Sequence, residues 1–435
     1  MTAKVSMRTP QPMMQIPAPA LGVYVSIPFC RAKCSYCNFA SGVFGSERMG
    51  IYVERLAAEI RSMPQRADVL GAEMPKYVDT IYFGGGTPSI LDRMQMRSIF
   101  RAIHDVFSVD DDAEITLECA PGQLSSELLQ ALPELGIHRV SLGVQSFVDQ
   151  EAAAVGRLHT RESTLKEIDR LRSAGIGEIN VDLIAGLPHQ TQESWRISLA
   201  EAIATGVPHL SVYMLDVDED SRLGREILAG GTRYGAGLLP SEQTIAEMYT
   251  EACEQFNAAG VAQYEISNFA RPGHESRHNL KYWTRQPYVG FGLDAHSFLP
   301  TTDGRAIRVG TTDDLAAYLE AGQDHSELET ITPVSETEAL EEAWFLGLRL
   351  AGGVSLAAME RQFGEEKVRM FQPILVECEQ FGLLEREGCV VRLTQRGRLF
   401  ANDVFSRFLG VASSSVMDME AIAPIKAVEE QGVWA

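Results

Sequence analysis

The chain has 435 residues, 45% of them apolar, with a formal net charge of −21 and seven cysteines. That length holds one large domain plus one or two additions, and so acidic a surface, with no run of Lys and Arg, excludes nucleic acid as the main partner. No stretch of about 18 apolar residues could span a membrane, and seven cysteines without an export signal point to a reducing, cytoplasmic setting.

Residues 1–20 are Pro-rich and read as a flexible leader. From 21 the chain alternates β-rich runs with amphipathic helical runs. Strands are expected over 23–28, 80–84, 114–118, 139–145, 178–184 and 209–215. Helices are expected over 47–63, 94–107, 125–135, 161–174, 192–204 and 241–259. Apolar spacing near 3.6 supports them, as in Tyr52, Leu56 and Ile60, or Leu165, Ile168 and Leu171. Six strand–helix units in series predict right-handed crossovers and a parallel sheet. The expected class is therefore α/β: an open, partial (βα)6 barrel over 21–260, with its chemistry at the C-terminal strand ends.

Residues 261–335 break this rhythm. They hold YEISNFARPG, HNLKYW and YVGFGLDAHSF, and are expected to form an irregular extension over the open barrel. Over 336–410 a helix–helix–helix–hairpin order is expected, a winged-helix-like domain with helices at 337–350, 355–363 and 365–381, a hairpin at 383–393 and a helix from about Gln395. Glu365, Glu366, Glu377, Glu379, Glu385 and Glu387 make an acidic wing unsuited to DNA, so this unit reads as a lid or a partner-docking face. Residues 411–435 read as a tail.

The first chemical signal is VYVSIPFCRAKCSYCNF, which sets Cys30, Cys34 and Cys37 in a C-x3-C-x2-C spacing just after the first strand. Thiolates are soft ligands suited to zinc or to an iron–sulfur cluster. A closed site of either kind takes four protein ligands. This loop supplies three, and Phe39 stands where a nearby fourth would be. A three-thiolate cubane leaves one iron open to an outside ligand; a structural zinc loop is the alternative on the residues alone. Cys119, Cys253, Cys378 and Cys389 are scattered, and Cys119 is read as a buried free thiol rather than a ligand.

Further candidates sit on successive units. YFGGGTP at 82–88 follows the second strand, and its glycines let backbone approach a ligand closely. Glu118 ends the third strand, Gln145 the fourth, Arg157 follows in VGRLHT, and Asp182 lies in the fifth. Such carboxylates suit ribose hydroxyls or an ammonium, and an arginine suits a carboxylate. Each alone is more often a structural polar residue; four facing one rim favour a shared ligand.

These motifs resemble the radical SAM superfamily, and within it the oxygen-independent coproporphyrinogen III oxidase-like family, over about residues 21–405. The resemblance implies a [4Fe-4S] cluster on Cys30, Cys34 and Cys37. It implies S-adenosylmethionine (SAM) held by Tyr24, Tyr36, Gly85, Gly86, Thr87, Glu118, Gln145, Arg157 and Asp182. One electron from such a cluster cleaves SAM to methionine and a 5′-deoxyadenosyl radical. After Glu118 the family pattern is usually Ala-Asn-Pro; here it is Cys119-Ala120-Pro121.

Two subgroups compete. The true dehydrogenases carry a fourth cysteine, C-x3-C-x2-C-x-C, where this chain has Phe39. The heme-chaperone subgroup reads C-x3-C-x2-C-x-F and carries YEISNFA and HNxxYW, which stand here at 264–270 and 278–283, followed by AHSF at 295–298. On the residues alone, His278 is either a hydrogen-bonded anchor, with Trp283 as a core plug, or a heme ligand; His296 is a second candidate, and His159 and His274 read as structural or exposed. The resemblance implies heme contact at His278, Tyr282 and Trp283. The expected function is thus a chaperone that binds heme, a [4Fe-4S] cluster and SAM, and passes heme to acceptor hemoproteins, respiratory ones among them, with an electron donor for the cluster. It is a chaperone before it is an enzyme with net turnover. The alternatives are oxidative decarboxylation of coproporphyrinogen III propionates in porphyrin biosynthesis, and a radical SAM enzyme with another substrate.

Overall fold

The first six strands run parallel and in sequence order, and each C-terminal end leads into a loop on the same rim. They are β1 (Leu21–Ile27), β2 (Tyr77–Gly85), β3 (Ser108–Cys119), β4 (Arg139–Gln145), β5 (Glu178–Ala185) and β6 (His209–Met214). The structure is a computed structural model and describes residues 20–321 and 326–411. The expected leader and tail lie outside the described residues apart from Ala20 and Val411. Residues facing the helices are apolar and fully buried, such as Val23, Val25, Ile81, Leu117, Val140 and Val181. The outer helices begin with strong caps: Asp92, Thr160 and Thr191 each form a capping box with the residue three positions on.

The helix Ser46–Leu70 runs through Pro64, although the pattern predicts its end at Met63. A mid-helix proline removes one backbone bond. Tertiary contacts override that loss, because Ala67 is buried beyond the proline and Arg66 pairs with Glu329.

Residues 261–335 do not form an irregular cover. They extend the same sheet at both ends. β7 (Ala262–Gln263) and β8 (Asn268–Ala270) add antiparallel to β6. β9 (Tyr288–Phe291) pairs parallel with β1, and β10 (His296–Pro300), β11 (Ala306–Thr311) and β12 (Glu329–Val334) continue antiparallel. The sheet order is β12-β11-β10-β9-β1-β2-β3-β4-β5-β6-β8-β7. HNLKYW is a short helix, Arg277–Trp283, lodged against this sheet.

The C-terminal unit starts with the helix Glu336–Leu348 and has its own core, in which Trp344 packs on Phe371 and Phe408. A three-stranded antiparallel sheet, β13 (Val354–Ser355), β14 (Leu384–Glu387) and β15 (Val390–Leu393), completes it in the order β13-β15-β14. The expected single helix 365–381 is two, Glu365–Arg369 and Gln372–Gln380, with Pro373 in the first turn of the second. Its acidic residues are largely neutralised: Glu365, Glu377, Glu379, Glu385 and Glu387 each pair with an arginine. Among the described residues no helix is long and apolar enough to cross a membrane.

Candidate functional site

The cysteine loop is a closed lobe on β1. Its neck is pinned by the bridge between Phe29 and Gly42, with Cys30 N donating to Gly42 O at 2.8 Å and Gly42 N to Pro28 O at 2.9 Å. Lys33 ties the lobe internally, Nζ donating to Phe39 O at 3.1 Å and Ser41 O at 2.9 Å. The segment after β6 straps it from outside: Arg222 donates to Lys33 O, and Asn38 Nδ2 donates to Asp218 Oδ2 at 2.6 Å. The backbone of 30–41 is thus fixed without using the thiols.

Cys30, Cys34 and Cys37 all face one cavity of about 490 Å3 on the strand-end rim. Each thiol has only weak partners. Thr87 Oγ1 lies 3.7 Å from Cys30, Arg157 Nη1 is 3.4 Å from Cys34, and Ser41 Oγ is 4.0 Å from Cys37. Burial, offset in part by Thr87 and Ser41, pushes the Cys30 thiol up from its ordinary value. Among the described residues no three His, Cys, Asp or Glu side chains converge as the ligands of a metal ion.

The same cavity collects Tyr36, Gly85, Gly86, Thr87, Glu118, Gln145, Arg157 and Asp182. Gly86 N donates to Ile27 O at 2.9 Å and Thr87 N to Phe29 O at 2.8 Å, so GGGTP continues the β1–β2 pairing into the lobe. A side chain at 86 would collide: an added Cβ would lie 2.8 Å from two carbonyl oxygens and 3.0 Å from Cys30 Sγ. Gln145 has a left-handed backbone, φ 69°, at the register shift between Gly143 and the strand end. The shift turns its side chain to the cavity, where Oε1 is buried without a partner. Arg157 donates to Gly143 O and to Cys34, and its Nε is also unpartnered.

The two carboxylates differ in support. Asp182 accepts from Ser141 Oγ at 2.9 Å and Asn180 Nδ2 at 2.7 Å, which opposes the upward pull of burial. Glu118 accepts from Tyr82 OH at 3.0 Å; burial first, and then the charge of Asp182, push it up to about 7. Both favour a cationic ligand.

The remaining candidates lie elsewhere. Tyr24 lines a second cavity of about 290 Å3, beside Phe39, Tyr282, Tyr288, Asp294 and His296. His278 lies on none of these cavities. It is 1% exposed, Nδ1 is 2.9 Å from Thr80 Oγ1, and Nε2 is 2.8 Å from Tyr282 OH. Its backbone N and that of Arg277 donate to Glu114, each at 3.0 Å. Burial and then Lys281 lower its pKa to about 3. As placed, His278 offers iron no free nitrogen, and the anchoring reading of HNLKYW is the one its geometry fits. Trp283 packs under Arg349, whose guanidinium is 4.2 Å from the ring centre. YEISNFA belongs to the same plug: Tyr264 OH meets His209 Nε2 at 2.9 Å, and His209 Nδ1 meets Asn180 Oδ1 at 2.7 Å. Asn180 also touches Asp182, so one hydrogen-bonded chain links the barrel floor to the rim.

The sequence reading named no residue from the sixth strand end. Tyr213, Met214, Leu215, Asp216 and Asp218 line the cavity. The strand-end rule used for the other units would have found them.

The radical SAM superfamily model matches residues 24–202, and the HemN C-terminal domain model matches 334–400. The heme chaperone HemW of Bacillus subtilis is 34% identical over 391 residues, 89% of this chain and 98% of that one. The chain belongs to the HemW family of radical SAM proteins. The Lactococcus lactis HemW is 32% identical, over 91% of this chain and 98% of its own. Among solved structures, coproporphyrinogen III oxidase (HemN) from Escherichia coli matches with a TM-score of 0.75 and 22% identity, covering 90% of each chain. That likeness concerns the fold. The donor set fits what the radical SAM family carries: three weakly partnered thiols from the loop, a glycine strip against Cys30, and orphaned polar atoms of Gln145 and Arg157 turned to the same cavity; the fourth cysteine on the cavity wall, Cys119, ends β3 outside the loop and is buried.

Proposed function

We propose that the chain is a heme chaperone, carrying a [4Fe-4S] cluster and SAM and delivering heme to acceptor proteins. Cys30, Cys34 and Cys37 hold the cluster. Gly85, Gly86 and Thr87 receive the amino acid end of SAM, Glu118 and Asp182 its cationic and hydroxyl groups, and Arg157 its carboxylate, with Gln145 and Tyr36 completing the wall. When bound, the cluster and SAM supply one-electron chemistry at the sulfonium. The protein's part is to fix the loop through Lys33, Asn38 and Arg222 and to hold charge of matching sign around the ligand.

The observation that carries the chaperone reading is Phe39. It stands at the position where the dehydrogenase pattern has a fourth cysteine, and it lines both the thiol cavity and the aromatic cavity beside it. An apolar face there joins the two cavities without a further thiolate. In this proposal the chaperone acts in the cytoplasm, with an electron donor for the cluster and respiratory hemoproteins among its acceptors.

Anaerobic heme titration of the cluster-reconstituted protein tests this. Saturable, stoichiometric binding followed by transfer to an apo-hemoprotein is expected. No specific binding, together with CO2 release from coproporphyrinogen III in the presence of SAM and reductant, would instead establish the decarboxylase.

A further inference from the structure

Resting on the chaperone reading, we propose that the heme lies in the groove where β9–β11 meet the C-terminal unit, with His296 as its axial ligand and Arg285 and Arg308 as its propionate partners. The second cavity and a third, of about 430 Å3, share Tyr282 and Tyr288 and so lie side by side against the same two rings. Each falls in or near the range of small-molecule sites, about 300–1,000 Å3.

His296 opens β10, and its side chain is 65% exposed on the cavity wall. Its cross-strand partner is Gly310, where an added Cβ would lie 2.9–3.0 Å from the imidazole, so the glycine makes the space in which the ring lies. Among the described residues its ion-pair partner is Asp294, with Oδ1 3.8 Å from Nε2, too far for a hydrogen bond. His278, four residues before Tyr282, has both nitrogens engaged; His296 has both available. A neutral imidazole is a good axial ligand for heme iron.

Along the same face of β10, two residues on, is Phe298, opposite both Arg308 and Tyr288. Two residues of strand advance about 7 Å, comparable to the reach from a porphyrin's centre to its propionates. Arg285 and Arg308 flank the Phe298 ring at 5.3 and 5.0 Å. Both are held by one carboxylate, Glu342, at 2.9 Å from Arg285 and 2.7 Å from Arg308. Two guanidiniums against one carboxylate leave a net positive seat built in carboxylate geometry. Glu342 takes Arg285 Nε and Arg308 Nε and Nη2, so a propionate would add to the remaining guanidinium donors without displacing it.

The test is hemin titration of the cluster-reconstituted full chain, read by visible absorption and resonance Raman. His296→Ala should weaken hemin binding on the order of tenfold or more, remove the histidine-ligated signature, and keep full iron–sulfur content. Added imidazole should restore the signature. Arg285→Ala/Arg308→Ala should weaken hemin but not its dimethyl ester. Wild-type binding left unchanged in affinity and spectrum by His296→Ala would overturn this placement and leave the chaperone reading standing. Absence of wild-type binding would overturn the chaperone reading itself.

Discussion

The rim and the floor of this barrel are built from similar residue types and behave oppositely. On the floor, Glu114, Asn180, His209, Tyr264 and His278 satisfy one another through hydrogen bonds. On the rim, three thiols, Gln145 Oε1 and Arg157 Nε lack good partners inside the protein. A buried polar group that finds its partner within the fold stabilises the fold; one left without a partner costs stability unless a ligand supplies it. Of the family's two most distinctive motif sets, the cysteine loop falls on the rim side of this division; in HNLKYW, His278 falls on the floor side, whereas Trp283 Nε1 is buried without a hydrogen-bond partner.

The division can be broken most severely at the thiols. Cys30→Ala, Cys34→Ala and Cys37→Ala are each expected to bring the iron content of reconstituted protein close to zero while circular dichroism stays unchanged; a full cluster in all three would sink the ligand assignment. On the floor the loss should be of stability instead. His278→Asn leaves Tyr282 or Thr80 unsatisfied and should cost on the order of 3 kcal/mol, read as an earlier urea midpoint. Glu118→Ala and Asp182→Ala should weaken SAM binding by about 10–100-fold, roughly 1.4–2.7 kcal/mol, with iron retained; joint loss of iron and SAM would mean misfolding.

The dependence on pH sharpens the contrast by its sign. His278 goes from 6.5 unfolded to about 3 folded, so the stability it contributes is complete above pH 6.5 and is lost as pH falls toward 3. Glu118 goes from 4.5 to about 7, so its contribution is complete below pH 4.5 and is lost as pH rises through 7. Each slope is at most about 1.4 kcal/mol per pH unit. In metal-free protein between pH 4.5 and 6.5 the two oppose. Glu118→Gln should steepen the rise of stability with pH and His278→Asn should flatten or reverse it; parallel pH profiles for both variants would show that neither buried group governs them.

Sequence periodicity located all six parallel strands, and the helix Gln192–Ala204 has its expected bounds, with Trp195, Ser198, Leu199 and Ala202 buried and Thr191 capping it. The rim candidates were legible for a related reason: strands of a parallel barrel end on one side, so Glu118, Gln145 and Asp182 had to meet. The strands of 261–335 were not legible. β7 to β12 are two to six residues long, and their pairing depends on β1 and β6 far away in the chain. The surroundings of His278 were not legible for a different reason: a histidine in an aromatic motif reads alike whether its nitrogens are free or engaged. Only Thr80, on a distant strand, and Tyr282 decide it.

The parallel pairing of β1 with β9, Gly22 opposite Tyr288, has a consequence for the timing of assembly. The strand that carries the cysteine lobe emerges from the ribosome before the rest of the sheet, yet one of its two neighbours follows only after the other five parallel strands. Until then β1 is an open edge, able to pair wrongly with another chain. Pairing across so long a loop is slow. The barrel therefore closes late, and it closes around a lobe whose thiols have been accessible throughout translation.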